Sequence, residues 1–216
     1  MAIKKFLLIG LMFIYFNGCY SQDMFHEFSK KFNTITLPIE NILKLTDNDT
    51  LNGKLTNDII IRSQNQKPQI IDKNGKLMPV KQYYGLYPEK PFKYGYRGKE
   101  LFYYSKIIAI GRVSLNSNYE SFIVKVVDVE TTFYDLWNFS KDGKALSVVC
   151  LFWGMRDGGP RDEKVTFTIV DSKITKEGNI IWHENADGLE TFRTYRLNDE
   201  GYFQIIKEEQ KGESEF

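Results

Sequence analysis

A chain of 216 residues with 29 basic and 28 acidic side chains has no concentrated positive charge to offer a phosphate backbone, which argues against nucleic acid as a partner. Aromatic residues make up 15% of it, a proportion suited to packed β structure and too high for a disordered chain. With only two cysteines, Cys19 and Cys150, a disulfide framework is excluded and a hydrophobic core must hold the fold.

The first residues read as an export leader. Lys4 and Lys5 precede an apolar run over residues 6–16 and the polar stretch Asn17-Gly-Cys-Tyr-Ser-Gln22. A basic start, an apolar run of about 7–15 residues and small residues at the cut mark a secretory signal peptide, and the run is shorter than the roughly 20 apolar residues that cross a bilayer. Two cuts fit. Cys19 and Ser21 at −3 and −1 place ordinary cleavage before Gln22, so that the leader is 1–21 and the domain 22–216. Gly18 before Cys19 suits lipoprotein processing, with a leader of 1–18 and lipid on Cys19, although Phe16 and Asn17 depart from that pattern. Loss of Lys4 and Lys5 brings the mature chain to a net charge near −1. Residues 22–216 form a single domain's worth of chain. A lipid on Cys19 is its one expected link to a membrane.

Residues 23–32 follow as a short amphipathic helix, because Met24, Phe25, Phe28 and Phe32 recur at helical spacing. Pro38 makes 35–39 extended. From 41 to 91 the pattern is less regular. Residues 83–104 hold nine aromatic side chains among Gly85, Gly95, Gly98, Pro88 and Pro91, and read as an irregular covering segment. Hairpins dominate thereafter: 106–113 with 119–127, 133–139 with 144–152, a run at 165–170, 173–175 with 179–183, and 190–197 with 202–207. Three of the turns end in Gly143, Gly178 and Gly201, the residue that takes φ > 0 without strain. Thr191-Phe-Arg-Thr-Tyr-Arg-Leu197 alternates as a strand with one buried face should. The fold class is mainly β: an antiparallel meander of hairpins forming a sandwich or a barrel, behind one N-terminal helix.

The leader ending Cys19-Tyr-Ser-Gln22, the stretch Phe32-Asn-Thr-Ile-Thr-Leu-Pro38 and the hairpin Phe139-Ser-Lys-Asp-Gly-Lys144 give a layout that resembles uncharacterised exported proteins and lipoproteins of Bacteroidetes-type bacteria. The likeness is one of style over most of the chain, without a diagnostic motif. It implies export and a β-rich fold and brings no activity. In that setting Asp49-Thr-Leu51 resembles an O-glycosylation acceptor, although an ordinary turn is its simpler reading.

Candidate chemistry is sparse. His183 and Glu184 are adjacent, so on a strand they face opposite ways and do not share a substrate; His26, on the helix, is weaker still. No HExxH motif or cysteine pair proposes a metal, and no Gly-x-Ser-x-Gly elbow or phosphate loop is present, so neither metal nor cofactor is expected. Asp47-Asn-Asp49 begins like a calcium loop, but Leu51 stands where an oxygen ligand belongs. Cys150 lies in an apolar run and reads as a small buried hydrophobe. The stretch 153–163 reads as a glycine-rich loop whose Arg156, Asp157, Arg161 and Asp162 form a charged surface. Tyr94 and Tyr96 represent an aromatic surface that suits protein or sugar contact. The expected function is a non-enzymatic envelope module binding a protein or glycan through these residues. The alternative is an envelope-polymer hydrolase with Asp157, Asp162 or Glu184 as acid and base.

Overall fold

The computed structural model describes residues 23–48, 59–60, 63, 66–80, 92–96, 99–103, 106–127, 132–157, 166–186 and 188–212. The leader with Cys19, the Asp49-Thr-Leu51 tripeptide, and Arg161 and Asp162 lie outside the described residues. Residues 23–29 form helix α1. Phe25 and Phe28 on it, and Phe32 just beyond, are buried as their spacing requires. They enter one aromatic cluster with Phe122 and Phe139, at ring-centroid distances of 4.5 to 6.1 Å.

Thirteen strands are seen among the described residues: β1 Thr34–Ile35, β2 Gln69–Ile71, β3 Leu77–Pro79, β4 Phe92–Tyr96, β5 Lys99–Tyr103, β6 Lys106–Val113, β7 Tyr119–Val127, β8 Thr132–Ser140, β9 Ala145–Asp157, β10 Thr166–Ile174, β11 Ile180–Ala186, β12 Leu189–Leu197 and β13 Phe203–Lys211. Strands β6 to β13 lie side by side in chain order, each antiparallel to the last, which is the expected meander. Gly143, Gly178 and Gly201 have φ of +86°, +79° and +85°, so the three glycine turns take the left-handed conformation that their residue type permits. At its edges the sheet departs from a pure meander. β1 joins β6 in parallel, and β2 joins β13 in parallel and carries β3, giving one sheet in the order β1-β6-β7-β8-β9-β10-β11-β12-β13-β2-β3. These pairings join segments remote in the chain, which no local turn signal announces. Among the described residues the sheet has two separate edges and is not closed into a barrel, so the fold is sandwich-like.

Strand β9 makes the corner. Ala145 to Trp153 pair with β8, while Trp153 to Asp157 pair with β10, so one long strand serves both halves of the sheet. Where β9 and β10 diverge, Ile39 bridges Ile174 by backbone hydrogen bonds of 2.8 and 2.9 Å, and the 3₁₀ turn Ile42–Lys44 follows it. Ser172 Oγ and Trp182 Nε1 donate to the carbonyls of Leu151 and Cys150 at 2.6 and 3.0 Å. The far end of the sheet folds back over the near one: Asn138 Nδ2 donates to Gly201 O at 2.7 Å, and Phe203 N donates to Ser147 Oγ at 3.1 Å. Register puts Asn138 on the face of β8 opposite Trp137 and Phe139. Strand β8 is therefore covered by α1 on one side and by the folded-back sheet on the other, and all of Phe133 to Phe139 is buried.

Four local expectations change. Residues 153–157 belong to β9, because pairing with β10 outweighs the entropic cost of Gly154 in a strand, and the loop expected from Trp153 begins no earlier than 158. The runs at 165–170 and 173–175 are one strand, β10, in which exposed Asp171 and half-buried Ser172 keep the alternation. Residues 92–103, read as irregular, include the two-stranded ribbon β4–β5. Cys150 is half-buried rather than fully buried, with its Sγ 3.3 Å from the Phe152 carbonyl.

Candidate functional site

A pocket of about 300 Å³ opens between edge strand β1 and the segment that follows the 3₁₀ turn. It stands at the small end of the range for small-molecule sites, about 300–1,000 Å³. Asn33, Thr34, Thr46, Asp47 and Asn48 supply its polar groups, and Ile35, Leu45 and Ile110 its apolar surface. Two local features set these walls. Strand β1 lies close on β6 because Gly111 has no Cβ; one built there would fall inside the envelope of the Ile35 side chain. The opposite wall is tied to the sheet by Lys125, whose Nζ reaches both carboxylate oxygens of Asp47 at 2.9 and 3.0 Å and lies 5.8 Å from the Tyr134 ring centroid. Burial pulls Lys125 down, but its hydrogen bond to Asp47 and the nearby Tyr134 together raise it above the ordinary lysine value, so it stays charged. Asp47 is the one ionisable residue among the described residues that line the pocket.

A second polar group lies on the inner face of the β10–β13 layer. Arg193 Nε donates to Glu208 Oε1 at 2.8 Å, and its guanidinium stands 4.9 Å from the Trp182 ring centroid. Lys73 reaches Glu208 Oε2 at 3.4 Å. The Arg193 hydrogen bond holds Glu208 below the usual carboxylate range. On the neighbouring strand β11, burial pushes Glu184 up, with Arg193 opposing, and on β12 itself burial pushes Tyr195 up to about 12. Glu184 and Glu208 thus flank one arginine with their acidities driven apart.

His183 faces the other way. It pairs with Phe192 across the strands, stacks on that ring at 4.5 Å, and has Nδ1 2.9 Å from Asp171 Oδ1. Its Nε2 is 3.4 Å from Glu190 Oε1. His183 and Glu184 are thereby divided between the two faces, as their adjacency requires. Among the described residues no group of three His, Cys, Asp or Glu side chains is placed to hold a metal ion.

The residues singled out from sequence are not gathered into one place by what is described. Arg156 and Asp157 end β9. Asp157 stands opposite Thr166 and Glu184 opposite Val170, so strand spacing sets their Cα positions roughly 16 Å apart, farther than the roughly 9.5 Å at which paired carboxyl groups act. Tyr94 and Tyr96 occupy one face of β4, opposite Leu101 and Lys99 of β5. The pocket residues were missed because 33–35, 45–48 and Ile110 meet only in three dimensions. Their one local signal was the polar run Thr46-Asp-Asn48, which as a calcium loop lacks a ligand. The chain matches no protein-family model, no curated protein and no solved structure.

Proposed function

We propose that this protein is an exported, non-enzymatic binding module of the cell envelope that holds a glycan or protein partner. The observation that supports this reading is the balance of charge at the β1 pocket: the one carboxylate among its described lining residues, Asp47, is paired through both oxygens with Lys125. General acid–base hydrolysis needs a second titratable group across the substrate, and among the described residues lining the pocket there is none. Tyr94 and Tyr96, two positions apart on β4, are further candidate contact residues in the same reading.

The test is retention of the purified protein on insoluble envelope polysaccharide, with release of reducing ends followed in parallel. Retention without turnover is the expected result. The hydrolase reading keeps one specific support, the split acidities of Glu184 and Glu208 around Arg193. Turnover abolished by Glu184→Gln would establish it and displace the binding reading. Export is tested by intact mass of the native protein, where a start at Gln22 or a lipid-sized increment on Cys19 is expected and a retained leader is the contrary result.

A further inference from the structure

We propose that the β1 pocket takes an uncharged sugar residue, with Asp47 and Asn33 as its principal hydrogen-bonding groups and Lys125 as the residue that positions Asp47. The inference rests on the reading of the protein as a binding module and adds the site and the ligand class. Three classes of ligand fit the pocket poorly. An anion meets no cation among the described lining residues, and Lys125 behind them spends its charge on both oxygens of Asp47. A metal ion would have to displace that ammonium group from the only carboxylate among the described lining residues. A wholly apolar ligand would strip water from the amide, hydroxyl and carboxylate groups of Asn33, Thr34, Thr46 and Asp47 without replacing their hydrogen bonds.

A neutral polyhydroxylated ring meets each of these conditions. Its hydroxyls both donate and accept, as the Asn and Thr side chains do, and a carboxylate with about four lone-pair sites keeps acceptor capacity after binding one ammonium. Its C–H face can lie on Ile35, Leu45 and Ile110, and a volume of about 300 Å³ suits one small unit rather than a long chain segment. The Lys125–Asp47 pair spans 78 positions of sequence, so Lys125 ties the 45–48 wall to the sheet and shapes the site without lining it.

Titration of the purified protein with glucose, galactose, mannose and N-acetylglucosamine, followed by the side-chain amide resonances of Asn33 and Asn48, tests the proposal. Saturable shifts in the millimolar range are expected from at least one neutral sugar. Asn33→Ala, which leaves the Lys125–Asp47 pair in place, should weaken that binding about tenfold or more. Lys125→Met should weaken it also, although Lys125 does not line the site. Tighter binding of glucuronate or glucose 6-phosphate than of the neutral sugars would overturn the neutral-ligand assignment. Silence of both amides toward every neutral sugar, with the protein still retained on envelope polysaccharide, would overturn this site and leave the binding module standing; loss of retention as well would remove both.

Discussion

Asn138 has no exposed surface, donates to Gly201 O at 2.7 Å and accepts from Ser121 Oγ at 2.8 Å. One amide therefore links β7, β8 and the β12–β13 turn. Asn138→Leu should leave both partners unpaired in the core and cost about 2–4 kcal/mol, seen as a lower urea midpoint with an unchanged m-value. Tyr195 carries a pH-dependent counterpart. It is 4% exposed, and burial raises its phenol to about 12, against about 10 in an unfolded chain. The folded protein keeps the proton where the unfolded chain has lost it, so this contribution is whole below about pH 10 and disappears as pH rises toward 12. Tyr195→Phe should therefore remove about 2–3 kcal/mol of the alkaline loss of stability, read from urea unfolding at about pH 9 and about pH 12.

The hairpins were legible because their signals are local: alternation sets which residues face inward, and a glycine ends each of three turns. What a turn touches is a different matter. Gly75 and Gly201 have nearly the same φ, +84° and +85°, yet a Cβ at 75 meets nothing within 4 Å and one at 201 falls 2.6 Å from Leu146 Cδ1 and Tyr119 Cε1. Gly75→Ala should cost only its left-handed strain, about 1 kcal/mol, and lower Tm by about 2–4 °C. Gly201→Ala adds overpacking and should lower Tm by about two to three times as much. Strand β9 shows why some boundaries were misplaced. Gly154 within 153–157 suggested a break, but that end of β9 gains a new partner in β10 as it leaves β8.

At the scale of the molecule, α1 completes the sheet: it covers Phe122 and Phe139, which would otherwise face water. Phe28 has no exposed surface and lies 5.3 Å from the Phe122 ring and 6.1 Å from that of Phe139. Phe28→Ala should cost about 3–5 kcal/mol, measured as a shift in the thermal or urea transition. Both cleavage points expected from the leader lie before this helix and would leave it whole.

The short helix, the run of antiparallel hairpins and the glycine turns were legible in the chain, since periodicity and turn chemistry act over a few residues, whereas the union of 165–170 and 173–175 into one strand was not. Tertiary structure alone decided that the sheet stays open, that β1 and β2 join it in parallel, and that Asn33, Asp47 and Lys125 meet around one pocket. The physical reason is separation along the chain. Pairing distant segments costs loop-closure entropy that only the assembled core offsets, and no short window of residues records that balance.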